Sequence, residues 1–245
     1  MDTGLAARAM VPGRITRATL TEQLEEAMRA DILDGVFQPG QRLRASELTR
    51  RYGVSATPLR EALQRLAVEN LVDLDPRFGA TVSRISESDL RDVYELLDLI
   101  GCLALDKSIQ RGDDAWSEEV RTRFEAMVEA TDRQAAQEGS DGDLRRRLAA
   151  DAAEAHWAFH SALYQASDSP WLLRFVEVLH AHAERYRRLS MQASRRRNSL
   201  HEHEEIMLAA RRGDREAAVA ALREHLGETV RLLRETFGQE RSDPA

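Results

Sequence analysis

The chain has 245 residues but only one cysteine, Cys102, and one lysine, Lys107. A single thiol excludes an internal disulfide and a thiolate metal cluster, and suits a reducing compartment. No stretch of about 18 uncharged apolar residues occurs, so no transmembrane helix is expected. The opening "MDTGLAARAMVPG" has neither the basic start nor the apolar run of a secretory leader. The expectation is a soluble cytoplasmic protein with no membrane partner. Aromatic residues are scarce at 5%, yet 42% of the chain is hydrophobic, enough for two cores. Positive charge is also short overall, at a net −7.

That deficit is unevenly spread. Residues 1–85 carry 12 arginines against 11 acidic residues, a net +1, and the remainder carries 23 basic against 31 acidic residues, a net −8. Within residues 42–65, Arg42, Arg44, Arg50, Arg51, Arg60 and Arg65 face only Glu47 and Glu61. A local excess of this kind attracts a phosphate backbone.

Residues 1–18 are small, polar and aperiodic and read as a flexible arm. From Thr21, Leu24, Ala27, Met28, Ile32 and Leu33 share one helical face, and Gly35 ends the helix. "QPGQRL" (38–43) is a turn into an extended Leu43. Ser46 is the expected N-cap of a short helix over 47–52, which Gly53 breaks. Thr57 is the expected N-cap of a second helix reaching about Glu69, with Pro58 at its first position. "LVDLDPRFGATVSRI" (71–85) alternates around a Pro/Gly turn and predicts a two-stranded hairpin. Helix, short helix, turn, helix and hairpin make a winged helix-turn-helix over 19–85, whose helix from Thr57 can lie in a DNA major groove.

Residues 86–240 carry helical patterns over 87–111, 116–138, 144–167, 170–193, 197–212 and 214–238 and no convincing strand. The fold class is therefore mainly α, a winged helix-turn-helix followed by an all-α bundle of six or seven helices. All seven histidines fall between 156 and 225. His156 and His160 share a helical face, and His203 and His225 lie on later helices that a bundle can bring alongside. Spacing alone leaves two readings open, a metal centre and a hydrogen-bonded core. His180, His182 and His201 look like surface residues. "HEHEE" lacks the spacing of a metalloprotease helix. A hydrolase using this cluster would need a general base such as Glu154 or Glu202. A third alternative is a helical domain that binds a protein partner.

The sequence resembles a GntR-family transcriptional regulator of the FadR type with an FCD effector domain. The resemblance rests on "ILDGVFQPGQRL" (32–43), "GVSATPLREALQRLAVENLV" (53–72), "FGATVSRIS" (78–86), "AHWAFHSALYQAS" (155–167) and "LHEHEEIMLAARRGDREAAVAALREHL" (200–226), and spans roughly 20–238. It implies a homodimer on a short palindromic operator, most often repressing, modulated by a small-molecule effector, often a carboxylate. Arg44, Ser46, Ser55, Thr57, Arg60, Arg65, Phe78 and Gly79 are the implied DNA-binding residues. Ala56 stands where the family usually has an arginine. His160, His203 and His225 fall on the family's metal positions, and His156 replaces its customary acidic ligand. The implied set is then four histidines around a divalent ion, zinc or nickel. Leu97 occupies the place of a frequent arginine and Gly101 that of a frequent glutamate, so Arg174, Arg187 or Arg188 would have to meet an effector's carboxylate.

Overall fold

A computed structural model describes residues 19–33, 35–137, 142–193 and 199–240. The expected arm at 1–18 and most of the break at 138–143 lie outside them. Two compact units emerge, one from the described residues up to Ile32 together with Gln41–Ser83, the other from Leu33–Gly40 together with those from Arg84 onward.

In the first unit, α1 (Leu20–Leu33), α2 (Ala45–Tyr52) and α3 (Ala56–Val68) pack over a small sheet. Leu24, Met28, Ile32, Leu48, Leu59, Ala62 and Leu66 form the core, each on the inward stripe of its helix. The hairpin is β2 (Val72–Asp75) against β3 (Gly79–Val82). Its turn is held by the Asp75 carboxylate, which accepts from the backbone of Arg77 and Phe78 at 2.6 and 2.9 Å, and Gly79 supplies φ +82°. The sheet has a third strand that alternation did not reveal. β1 (Arg42–Leu43) pairs with β3, placing Leu43 opposite Ala80. Two residues are too few for a period.

Both predicted caps require correction. α2 begins at Ala45 with Arg44 at the N-cap, so Ser46 sits inside the first turn, and its carbonyl accepts from the Thr49 hydroxyl at 3.3 Å. α3 begins at Ala56 with Ser55 at the N-cap, which moves Thr57 and Pro58 into the helix. Proline costs nothing there, because the first-turn N–H groups have no intrahelical acceptor anyway. Gly53 at φ +65° turns the chain between α2 and α3. Arg29 braces α1 against the end of α3, donating to both Glu69 oxygens at 2.9 and 2.6 Å.

Among the described residues, the second unit has six α-helices, a short 3₁₀ turn (Gln165–Ser167) and no strand. These helices are α4 (Glu87–Arg111), α5 (Asp114–Ala136), α6 (Gly142–Tyr164), α7 (Pro170–Ala193), α8 (Ser199–Arg211) and α9 (Arg215–Glu240). α4 packs against α6, α7 and α9, and its Leu90, Leu97, Ala104 and Leu105 are buried with Phe159, Leu163, Tyr186, Ile206, Leu222 and Leu233. Asp113 caps α5 by accepting from the Trp116 backbone at 2.8 Å, and the Trp116 indole donates to the Ala162 carbonyl at 2.9 Å, tying α5 to α6. Gly112 lets this corner close. A Cβ there would lie 2.2 Å from the Trp116 ring and 2.8 Å from the Ser108 carbonyl. Gly112→Ala is therefore expected to destabilise the chain by about 1–3 kcal/mol through overpacking, measurable as a lower denaturant midpoint. An unchanged midpoint would show that the indole can move aside freely.

Candidate functional site

In the first unit, the turn at Gly53 sets α3 with Leu59, Leu63 and Leu66 inward, which leaves Thr57 and Arg60 on the outer face. Arg44, Ser46, Ser55, Arg65, Phe78 and Gly79 are exposed as well. Their states differ. Arg60 has no ion pair among the described residues, whereas Arg65 donates to Glu25 at 3.1 Å and Arg44 pairs with Glu47 at 3.3 Å. Phe78 stands at the hairpin tip, 64% exposed. An unpaired guanidinium on an outward helix and an exposed aromatic hairpin tip are features able to enter DNA grooves.

In the second unit, His156 and His160 on α6, His203 on α8 and His225 on α9 converge. One nitrogen from each ring falls within 4.8 Å of the others, and all four residues are buried. Burial holds His156 and His160 well below the ordinary histidine range. The Arg187 guanidinium adds to this at His156, and neighbouring imidazoles do so at His160. These rings are neutral at neutral pH and present lone pairs.

The tautomers can be read from the partners. His203 Nδ1 lies 2.5 Å from the Ser199 carbonyl, which only accepts, so Nδ1 carries the hydrogen and Nε2 the lone pair. His225 Nδ1 donates likewise to Glu202 at 2.8 Å. Yet His203 Nε2 has two neighbours at 3.2 Å, the Nε2 atoms of His160 and His156. One in-plane lone pair cannot accept two such hydrogens, and His156 Nδ1 is buried with no hydrogen-bond partner among the described residues. Protons alone leave this cluster unsatisfied. A cation at its centre, held by four imidazoles with Ser199 and Glu202 orienting two of them, would take up the Nε2 lone pairs that face one another there, so the residues fit a divalent ion.

The structure corrects two expectations about the other histidines, since His182 is half-buried and so is His180. His180 is not a surface residue. It is half-buried, its ring centroid is 5.6 Å from that of His156 and 5.7 Å from that of His160, and it packs on Trp157 at 4.3 Å. Burial, partly opposed by Glu184, pushes its pKa down to about 4. Its position on the inward face of α7, with Val176 and Ala183, was the available signal. His201 is exposed beside Glu204 and Glu205. Arg187 approaches the cluster, held by Glu184 at 2.6 and 2.7 Å. Arg174 does not; it lies on the exposed face of α7. The side chain of Arg188 falls outside the described set. Leu97 is buried in the core, and a Cβ at Gly101 would meet the Tyr164 hydroxyl at 3.4 Å.

The depressed histidines carry a pH consequence. A base whose folded pKa lies below its unfolded value contributes stability that is complete above the unfolded pKa, near 6.5, and lost as pH falls below it. For metal-free protein the urea midpoint is expected to drop between about pH 6.5 and pH 4, the lower bound set by His180. A midpoint flat across that range would mean the rings are not neutral in the folded state.

A family model for the FCD domain matches residues 92–228, and one for bacterial regulatory proteins of the gntR family matches residues 20–82. The HTH-type transcriptional regulator BphR of Paraburkholderia xenovorans (strain LB400) is 32% identical over 97% of this chain and 94% of its own. The chain belongs to the GntR family of transcriptional regulators, in its FCD-containing branch. The HTH-type transcriptional repressor GlaR of Escherichia coli (strain K12) is 29% identical over 86% of this chain and 94% of its own. The solved structure of E. coli McbR/YncC shares the fold, with TM-score 0.71 at 22% identity over 90% of this chain and all of that one. A GntR helix-turn-helix joined to an FCD domain is a ligand-responsive DNA-binding regulator, not an enzyme. The hydrolase alternative falls with this assignment, and its bases are also misplaced, since Glu154 faces solvent and Glu202 is engaged by His225. Among the described residues, no helix is long and apolar enough to cross a membrane.

Proposed function

We propose that this regulator is a homodimeric, cytoplasmic repressor that binds a palindromic operator through α3 and the β2–β3 wing and is released by an anionic effector at the four-histidine centre. The observation that carries the effector half is the convergence of four buried imidazoles, with the one nearby carboxylate, Glu202, on the far nitrogen of His225 and not among the converging atoms. A divalent ion, zinc or nickel, held there would supply a dipositive charge that the protein ligands leave uncompensated, favouring an anion such as a carboxylate. Arg187 is the residue poised to meet that anion, with Glu184 positioning its guanidinium beforehand. In the DNA-binding half, Thr57 and Arg60 read bases, Arg44, Ser46 and Ser55 approach phosphates, Phe78 and Gly79 approach the minor groove, and Arg65 braces α3 through Glu25.

A second copy is supported by α4. Leu96, Leu99 and Leu103 are 47%, 66% and 46% exposed on the side opposite the buried Leu97 and Leu105. A helix apolar on both sides is normally covered on both. An isologous pair along this stripe would buy two-fold symmetry, which a palindrome mirrors.

The test is selection from random duplex DNA, with sedimentation of the unliganded protein alongside. The expected outcome is an enriched inverted repeat, a dimer in solution and a monomer for Leu99→Glu. An enriched sequence without symmetry, or a wild-type monomer, would refute the dimeric reading. The name of GlaR as a repressor supports the sign. Reporter transcription that falls when the chain is deleted would refute it.

A further inference from the structure

The four-histidine centre does not account for a second feature nearby. A cavity of about 170 Å³ lies between α6, the 3₁₀ turn and α7. Trp157, Tyr164, Leu173 and Val176 supply its apolar wall, and Ser161, Gln165 and Glu177 a polar one. Glu177 and Gln165 stand exposed at its mouth. None of its lining residues is one of the four clustered histidines.

Its chemistry has one sign. Among the described residues Glu177 makes no hydrogen bond or ion pair, and Arg174, also on exposed α7, does not pair with it. The Gln165 amide donates to the Ser161 hydroxyl at 3.4 Å, which leaves the Gln165 carbonyl oxygen to accept. No basic side chain lines the cavity. Trp157 and Tyr164 offer ring surface, which attracts cations.

We propose that this cavity is a second small-molecule site, selective for a compact organic cation with its body against Trp157 and Tyr164 and an ammonium group at Glu177 and Gln165. Trp157 connects it to the first site, because its ring packs on His180, and His180 neighbours His156 and His160. The proposal does not depend on a metal being held by the histidines.

Calorimetric titration of the full chain after treatment with a chelator tests it, using benzylamine, benzyl alcohol and benzoate as probes of one shape and three charges. Benzylamine is expected to bind one per chain, benzyl alcohol at least about tenfold more weakly because it lacks the charge-assisted contact, and benzoate not at all. Glu177→Gln, at an exposed position, should bring benzylamine to the level of the alcohol. His203→Ala should leave benzylamine binding in place, which separates this site from the histidine centre. Equal binding of amine and alcohol, preference for benzoate, an unaffected Glu177→Gln, loss of binding in His203→Ala, or no heat with any probe would each overturn the proposal.

Discussion

Chain purified without a metal-affinity tag is expected to contain close to one divalent ion, and His203→Ala to contain almost none. The size of this effect follows from where His203 sits. Its Nε2 is the shared neighbour of the other two Nε2 atoms, at 3.2 Å from each, and its Nδ1 is anchored by the Ser199 carbonyl. Loss of an orienting partner alone typically costs roughly 10–100-fold in metal affinity, and loss of the ligand itself costs more. Metal addition should also raise the thermal midpoint of metal-stripped wild type, since a ligand at about 1,000 times its Kd stabilises by roughly 4 kcal/mol. In His203→Ala that increment should vanish, whatever the variant's own stability. This comparison separates loss of an ion from loss of packing around Phe159, whose ring lies 5.6 Å from that of His203. Stoichiometric metal in His203→Ala would overturn the assignment. So would a wild type that stays metal-free after reconstitution, for then the rings are core packing and His156 marks a departure from the family's ligands.

Much of this architecture was legible in the sequence, and the failures have physical causes. The six-helix bundle followed from long amphipathic runs, which carry enough turns to define a face. The caps at Ser46 and Thr57 did not. Serine, threonine and proline are all tolerated inside a first turn as well as at its boundary, so composition leaves the start uncertain by a residue or two. β1 was missed because its two residues are recruited by an edge that forms only when β3 is present. The four histidines could be named from their motifs, but not every group that orients them. The Ser199 carbonyl holds His203 from one turn earlier in α8, but Glu202 reaches His225 only because α8 packs on α9, which no local period encodes. His180 was misjudged because a histidine on a helix carries no sign of its direction. Its apolar companions Val176 and Ala183 carry that sign, and their stripe points inward. Arg174 and Arg187 looked equivalent in the sequence, yet only Arg187 shares the inward stripe.

Arg60→Ala is expected to weaken specific operator binding by about 1–3 kcal/mol, roughly 5- to 150-fold, while leaving the fold intact. Stability should hold because Arg60 is exposed and braces nothing among the described residues. Specificity should suffer because α3 offers few alternatives. Ala56 replaces the arginine customary near its start, and Arg65 is drawn back to Glu25. One guanidinium then carries most of the bidentate reading of guanine that arginine performs in a major groove. Arg50→Ala provides the contrast. Arg50 is exposed on α2, where contact with phosphates would lower affinity for all sequences alike and reduce the salt slope by about one. Binding isotherms on the selected operator and on a scrambled duplex, each at several salt concentrations, distinguish the two. A loss for Arg60→Ala confined to the operator supports base reading. Equal losses on both duplexes would reassign Arg60 to the phosphates and leave Thr57 and its neighbours to supply specificity through groove shape.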